Sequence, residues 1–152
     1  MHVDEDVVRL PDGRELTYVV LREGAFVCVC PVTTDGLVGL VEQYRYPLEA
    51  FTSELPAGAI DPGESPLDAA RRELREEAGL TGGVFEPMGT FWTMPGRSTQ
   101  QVHLFIARDV VQSDSPSGTD ETRLILKTFD EALTSVSSAR DALCLRMALE
   151  RL

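Results

Sequence analysis

The sequence predicts an α+β fold, an α/β/α sandwich of three helices on a mixed β-sheet, from three observations. The first half is built of short runs rich in β-branched and aromatic residues, such as ELTYVVL and AFVCVCPV, separated by turn residues. In the middle, SPLDAARRELREEAG carries start and stop signals for a helix over 66–78. More strands then precede two closing helical segments, so strands and helices do not alternate as βαβ units. The 152 residues fit one domain over 1–152, long enough to bury a core, with 1–21 set apart as an N-terminal hairpin.

Each element has a local justification. Residues 6–21 read as a β-hairpin, VVRL and ELTYVVL joined by a turn at Pro11-Asp12-Gly13. AFVCVCPV is an almost unbroken apolar run, hence a buried strand. It enters a turn at Thr33-Thr34-Asp35-Gly36 and returns as LVGLVEQYRY, which predicts a second hairpin over 25–46 ended by Pro47. LEAFTSELPAGAID reads as irregular with a short strand. After the helix, Gly82-Gly83 predicts a break before the strand VFEPMGTFWT. A polar loop, Met94 to Gln100, leads to VHLFIARDV, a strand by its β-branched and aromatic content. The polar stretch QSDSPSGTDE precedes the strand TRLILK. Thr128 and Glu131 form a capping box for a short helix over 129–135. SSARDALCLRMALERL closes the chain as an amphipathic helix, with Ala142, Leu143, Leu145, Met147, Leu149 and Leu152 as its apolar surface.

The stretch from Gly58 to Leu80, GAIDPGESPLDAARRELREEAGL, carries the chemistry. Ser65 caps the helix, Pro66 suits its first position, Asp68 falls where a capping box puts its acid, and Gly79 is the natural stop. At helical spacing, Glu73, Glu76 and Glu77 share one face, while Leu67, Ala70, Leu74 and Ala78 form a separate apolar stripe. Three like charges on one face call for neutralisation. Arg71, Arg72 and Arg75 can supply part of it, and a hard divalent cation such as Mg²⁺ the rest. By itself an E-x-x-E-E triplet is more often a solvated, ion-paired face.

The whole stretch, however, resembles the Nudix box, G-x5-E-x7-R-E-U-x-E-E-x-G-U with U a bulky aliphatic, at every specified position. That resemblance implies the Nudix-type sandwich, with a loop–helix–loop that binds divalent metal against a diphosphate, Mg²⁺ or alternatively Mn²⁺. It also implies cleavage of a nucleoside diphosphate linked to another group. Carried over position by position, Glu73 and Glu77 are metal ligands, and Glu76 is a ligand directly or through water. The carbonyl of Ala57 completes the metal shell. Glu64 and Arg72 pair and hold the helix in register, while Gly58 and Gly79 bound the motif.

Outside the box, three pieces resemble ADP-ribose pyrophosphatases and related nucleoside-diphosphate-sugar hydrolases. They are Val41-Glu42-Gln43-Tyr44-Arg45-Tyr46-Pro47, Glu54-Leu55-Pro56-Ala57-Gly58, and Pro95-Gly96 followed by Val102-His103-Leu104-Phe105. The expected reaction is attack of water on one phosphorus, releasing a nucleoside monophosphate and a sugar phosphate. ADP-ribose leads the expected substrates. GDP-mannose, a UDP-sugar, a dinucleoside polyphosphate and a nucleoside triphosphate remain alternatives, as does a non-catalytic ADP-ribose sensor. Arg45 has the bidentate geometry for phosphate and equally for pairing with Glu54, which itself can accept from a ribose hydroxyl. Arg97 is a second phosphate candidate. Tyr18, Phe51, Phe91 and Trp92 are the aromatic residues suited to stacking on a base. His103 reads as structural.

The sequence departs from that branch at the loop acid that often serves as base, where Thr99-Gln100-Gln101 stands. Glu121, then Asp120, are the next candidates, with Asp114 further back and Glu76 as another. The N-terminal extension is also short for the branch. A homodimer that covers Val7, Val8, Tyr18 and Val20 is expected, with the hairpin as its candidate element.

Composition excludes several classes. A net charge of −11 argues against a nucleic-acid polymer as partner, because phosphate backbones are bound by Lys and Arg. A small diphosphate delivered with a cation is compatible with that charge. The acidic start MHVDEDVVRL has no apolar h-region, and no run approaches the ~20 residues of a membrane span. A cytoplasmic protein is the expectation. Cys28, Cys30 and Cys144 complete no zinc spacing and read as buried free thiols.

Overall fold

A computed structural model describes residues 1–113 and 122–152. Its centre is the strand β3 (Phe26–Thr33), whose residues from Val27 to Val32 are all buried. A strand so apolar on consecutive positions must be covered on both sides. Val27 and Val29 face the helix α1 (Pro66–Ala78), packing with Ala70, Leu74, Phe105 and Ala107. Cys28, Cys30 and Val32 face the other way, onto Leu104, Ile106, Ala132, Cys144 and Leu145. That second layer is formed by α2 (Phe129–Ser135) and α3 (Ala139–Leu149). The result is the expected α/β/α sandwich.

The sheet has seven strands in the order β5-β4-β3-β8-β7, with β6 added on β3 and β9 on β4. These are β4 (Val38–Arg45), β5 (Ala50–Glu54), β6 (Ala57–Ala59), β7 (Leu80–Trp92), β8 (Gln101–Gln112) and β9 (Thr122–Lys127). β3 and β8 run parallel from Phe26↔Val102, while the other pairings are antiparallel, so the sheet is mixed. The second hairpin expected over 25–46 is corrected in one respect. β3 and β4 pair only at Val32↔Val38 and then diverge. β6 takes the place beside Phe26 to Cys28, and β4 turns to pair with β5 and β9. The segment read as irregular with one short strand therefore holds two strands, preceded by the 3₁₀ turn Tyr46–Leu48.

The box helix starts and stops at the expected residues. Ser65 Oγ accepts from the Asp68 N–H at 3.2 Å, and Gly79 adopts φ 61° as the left-handed stop. Thr128 and Glu131 form a complete capping box on α2. The closing helix hides only part of the expected face, Leu145 and Met147 being packed on the core. Asp141, Cys144, Leu145 and Ala148 are buried, whereas Leu143, Leu149 and Leu152 are exposed, because the seam on β3 and β8 follows Cys144. Gly82-Gly83 does not break the chain either. β7 runs through it in one register on β8, with both residues at positive φ, 72° and 78°.

The N-terminal hairpin, β1 (His2–Arg9) with β2 (Glu15–Arg22), docks on its own chain. The Leu21 N–H donates to Arg97 O at 2.7 Å, and the Thr99 N–H donates to Leu21 O at 3.0 Å. Tyr18 donates its hydroxyl proton to the Gly96 carbonyl. Val7 and Tyr18 stay exposed, and Val8 and Val20 are half-buried. No helix among the described residues is long and apolar enough to cross a membrane.

Gly83 gives this architecture a test. A Cβ there would lie 2.5 Å from Arg108 O and 2.9 Å from Val110 Cγ1, at a φ that side chains rarely adopt. Gly83→Ala is expected to cost about 1–3 kcal/mol, read as a fall of several degrees in thermal unfolding. An unchanged midpoint would show that β7 relaxes at no cost.

Candidate active site

The loop before α1 and the acidic face of that helix are joined through Arg72. Its Nε and Nη2 donate to both oxygens of Glu64, at 3.0 and 2.8 Å, and Nη2 also donates to Ala59 O at 2.8 Å. Nη1 reaches Glu73 Oε1 at 2.6 Å and Glu76 Oε2 at 3.3 Å. Glu64 further accepts from the Asp61 N–H at 3.0 Å. The Arg72 hydrogen bond, helped by that N–H, holds the Glu64 carboxyl down at about 2. The expected Glu64–Arg72 pair is therefore present, and it joins loop to helix.

Glu73 is buried against Gly58, which β6 places opposite Val27 of β3. A Cβ on Gly58 would meet the Glu73 carboxylate at 2.0–2.3 Å, so only glycine leaves that space. One turn on, Glu77 accepts from the Ala57 N–H at 2.8 Å. Burial pushes its carboxyl up to about 7, the Ala57 hydrogen bond opposes this, and the charge of Glu73 adds to the rise. Burial also raises Glu73, with Arg72 opposing. Glu76 lies at the same face, more exposed, with Arg72 as its partner.

As the side chains stand, no three acids, histidines or cysteines among the described residues converge as a ready metal cage. Glu73 and Glu76 are engaged with Arg72, and Glu77 with Ala57. The chemistry of the donors nonetheless fits a hard divalent cation. They are carboxylate oxygens, two are partly desolvated, and neighbouring acids oppose ionisation of both, Glu73 acting on Glu77 and Glu76 on Glu73, a repulsion that a cation relieves.

Beside the box lies a cleft of about 420 Å³. Arg45, at the end of β4, donates from Nε and Nη2 to the two oxygens of Glu54 at 2.7 and 2.6 Å. In the antiparallel β4–β5 register Arg45 stands opposite Ala50 and Glu54 opposite Val41, so the long Arg45 side chain reaches along the face it shares with Thr52 to meet Glu54. Thr52 Oγ1 adds a hydrogen bond to Glu54 at 2.6 Å. The Arg45 fork is the main reason that the Glu54 carboxyl falls to about 2. The pairing expected as one alternative for Arg45 is thus present. Glu54 ends β5 three residues before Ala57, whose N–H holds Glu77, so the cleft adjoins the box acids.

Two expected site residues lie elsewhere. Arg97 sits against β2 with Gly96 and Tyr18, because the hairpin captures the backbone of its loop. Trp92, 54 % exposed, shares a shallow hollow with Pro95, Ser98 and Thr99. Glu121, Asp120 and Asp114 lie outside the described residues. His103 has a structural partner, Thr90 Oγ1 at 3.0 Å from Nδ1. Cys28, Cys30 and Cys144 are free and buried, and burial pushes the thiols of Cys28 and Cys30 up. Sequence reasoning missed Arg140, which lines the cleft from the first turn of α3. The available signal was a cation at a helix N-terminus, where the backbone dipole disfavours it.

The family model described as NUDIX domain matches residues 21–144. The chain is 36 % identical over 138 residues to a methanol dehydrogenase activator of Bacillus methanolicus, covering 89 % of this chain and 75 % of that protein. It is 34 % identical over 134 residues to an ADP-ribose pyrophosphatase of Bacillus subtilis, covering 86 % and 72 %. A crystal structure of an ADP compounds hydrolase shares the fold, with a TM-score of 0.85 at 22 % identity over 99 % of this chain and 85 % of that one. By the extent of the family match and by these relatives, the chain belongs to the Nudix hydrolase family.

Proposed function

We propose that this hydrolase cleaves the diphosphate of ADP-ribose, or of a closely related nucleoside diphosphate sugar, giving a nucleoside monophosphate and a sugar phosphate. The observation that carries the reading is the adjacency of two features. Ala57, whose N–H holds Glu77 beside Glu73, follows directly on the segment of Glu54, so the box acids adjoin a cleft that holds Arg45 and Glu54. The similarity to an ADP-ribose pyrophosphatase supports the choice of substrate.

Glu73, Glu76 and Glu77, with the carbonyl of Ala57, would hold Mg²⁺ or Mn²⁺. Such an ion supplies positive charge that polarises the diphosphate oxygens and offsets the charge of the leaving phosphate. Arg72 sets the position of Glu73 and Glu64, and Gly58 leaves room for the Glu73 carboxylate. Arg45 takes the diphosphate by its exposed edge while Glu54 keeps its fork oriented. Water attacks one phosphorus, and its proton passes to a carboxylate, Glu121 or Asp120 before β9 or Glu76 of the box. A homodimer is part of the same proposal, since Tyr44, Tyr46, Leu48 and Phe51 are exposed on β4, β5 and the turn between them.

Products decide the substrate. With Mg²⁺ or Mn²⁺, ADP-ribose is expected to yield AMP and ribose 5-phosphate faster than GDP-mannose, UDP-glucose, diadenosine polyphosphate or a nucleoside triphosphate react. Release of pyrophosphate from the triphosphate as the fastest reaction would replace this reading. Binding of ADP-ribose without turnover would make the protein a sensor.

Glu77→Gln keeps an acceptor for the Ala57 N–H and removes a charge. It is expected to lower kcat at least about a hundredfold while thermal unfolding stays near that of the parent. Near-normal turnover would remove Glu77 from the metal site.

Stability should carry the same group's signature. The Glu77 carboxyl rises from 4.5 to about 7 on folding, so the folded chain keeps a proton that the unfolded chain releases. This contribution is complete below about 4.5 and lost as pH rises through about 7. In chelator, the unfolding temperature of the parent should fall relative to Glu77→Gln across that window. Parallel curves for the two proteins would contradict the buried acid.

A further inference from the structure

The box chemistry leaves the start of α3 unexplained. Arg140 occupies the first turn of this helix, where unpaired backbone N–H groups already present positive charge. It is held there by Asp141, whose Oδ1 accepts from Nε at 2.7 Å. Asp141 is fully buried, and its Oδ2 has no hydrogen-bond partner among the described residues. A buried carboxylate with one unsatisfied oxygen costs stability, and an ion pair of this kind is weak support for a fold. The guanidinium also lies over the Phe26 ring, 5.6 Å from its centroid.

On its other side Arg140 is loosely held. Nη2 is 3.5 Å from Glu54 Oε2, and that carboxylate already takes 2.6–2.7 Å hydrogen bonds from Arg45 and Thr52. A guanidinium has five N–H donors. The hydrogen bonds to Asp141 and Glu54 engage only two of them, and the residue lines the cleft of about 420 Å³. Among the ionisable residues that line this cleft, Arg45 and Arg140 are positive and Glu54 is negative. In a chain of net charge −11, that local excess of cation selects for an anionic ligand.

We propose that Arg140 is a substrate-binding residue that clamps the diphosphate from the side opposite Arg45, with Asp141 as the residue that positions it. The proposal rests on the diphosphatase reading of the same site. Arg45 and Arg140 approach Glu54 from β4 and α3, so a diphosphate between them meets two planar forks carried on rigid elements. Glu54 gives up only its loose contact to Arg140. Phe26 and Asp141 keep the guanidinium fixed, which limits the entropy lost when the anion binds.

The test replaces Arg140→Gln together with Asp141→Asn, so that no buried charge is left without its partner. ADP is the probe for binding by calorimetry, and ADP-ribose is the substrate for kinetics. The double variant is expected to weaken ADP binding about 10- to 100-fold and to raise KM for ADP-ribose comparably, with kcat within about threefold. Should it fail to fold, Arg140→Lys keeps the charge beside Asp141 but loses the fork, and is expected to weaken ADP binding at least about threefold. Unchanged ADP affinity in the folded variant overturns the proposal, as does a parent protein that binds no ADP. A parent that turns over no nucleotide sugar, yet loses ADP affinity on substitution, refutes the diphosphatase reading and leaves the Arg140 assignment standing.

Discussion

Arg72 is the interaction on which the site depends. Glutamates at 73, 76 and 77 share one helix face, and three carboxylates so close would repel one another. One guanidinium meets two of them, at 2.6 and 3.3 Å, and with its remaining donors takes hold of Glu64 and the Ala59 carbonyl. The same group therefore offsets the acidic face and fastens the preceding loop to it. Gly58 is carried on that loop, and its lack of a side chain is what lets Glu73 sink beside the backbone of β6. Moving the loop would displace the acid.

The sheet supplies the platform. From Phe26 to Val32 β3 is apolar at every position, and it is covered on both faces by helical layers. β6 pairs with its first residues and delivers Ala57 and Gly58 under α1. β4 leaves β3 after one pair and aligns with β5, which puts Arg45 opposite Ala50 on the face that also carries Thr52 and Glu54. α3 packs on the far side of β3 and extends its first turn to the same cleft. Three segments distant in the chain, around residues 45–54, 57–77 and 140, thus meet at one end of the sheet.

Charge is distributed to match. The chain is acidic overall, and its box acids are partly desolvated, which raises the Glu77 carboxyl to about 7. The adjoining cleft carries two arginines against one glutamate. A cation drawn to the acids and an anion drawn to the arginines would sit side by side. That is the electrostatic pattern that a metal-bound diphosphate requires.

Much of this was legible in the chain because it is local. Capping at Ser65, the stop at Gly79 and the Thr128–Glu131 box are written within a few residues, and the helices begin and end where those signals stand. The apolar run of β3 announced a strand buried on both faces for the same reason. The second hairpin, the Gly82-Gly83 break and the exposed face of α3 were misjudged, since each is decided by a neighbour far away in sequence. Arg97 and Trp92 carried suitable chemistry, but neither lines the cleft: the hairpin binds the backbone of Arg97, and Trp92 opens on a separate hollow, although Thr93 beside it reaches the cleft. By itself the sequence determined the mixed-sheet fold, the box helix and the shared face of its three acids, because helical period and capping act over single turns. Only the tertiary structure decided that Arg45 forks onto Glu54, that the half-buried Glu77 is held by Ala57, and that Arg140 joins them. Strand register and desolvation are set by the packing of distant segments, and no short stretch of chain contains them.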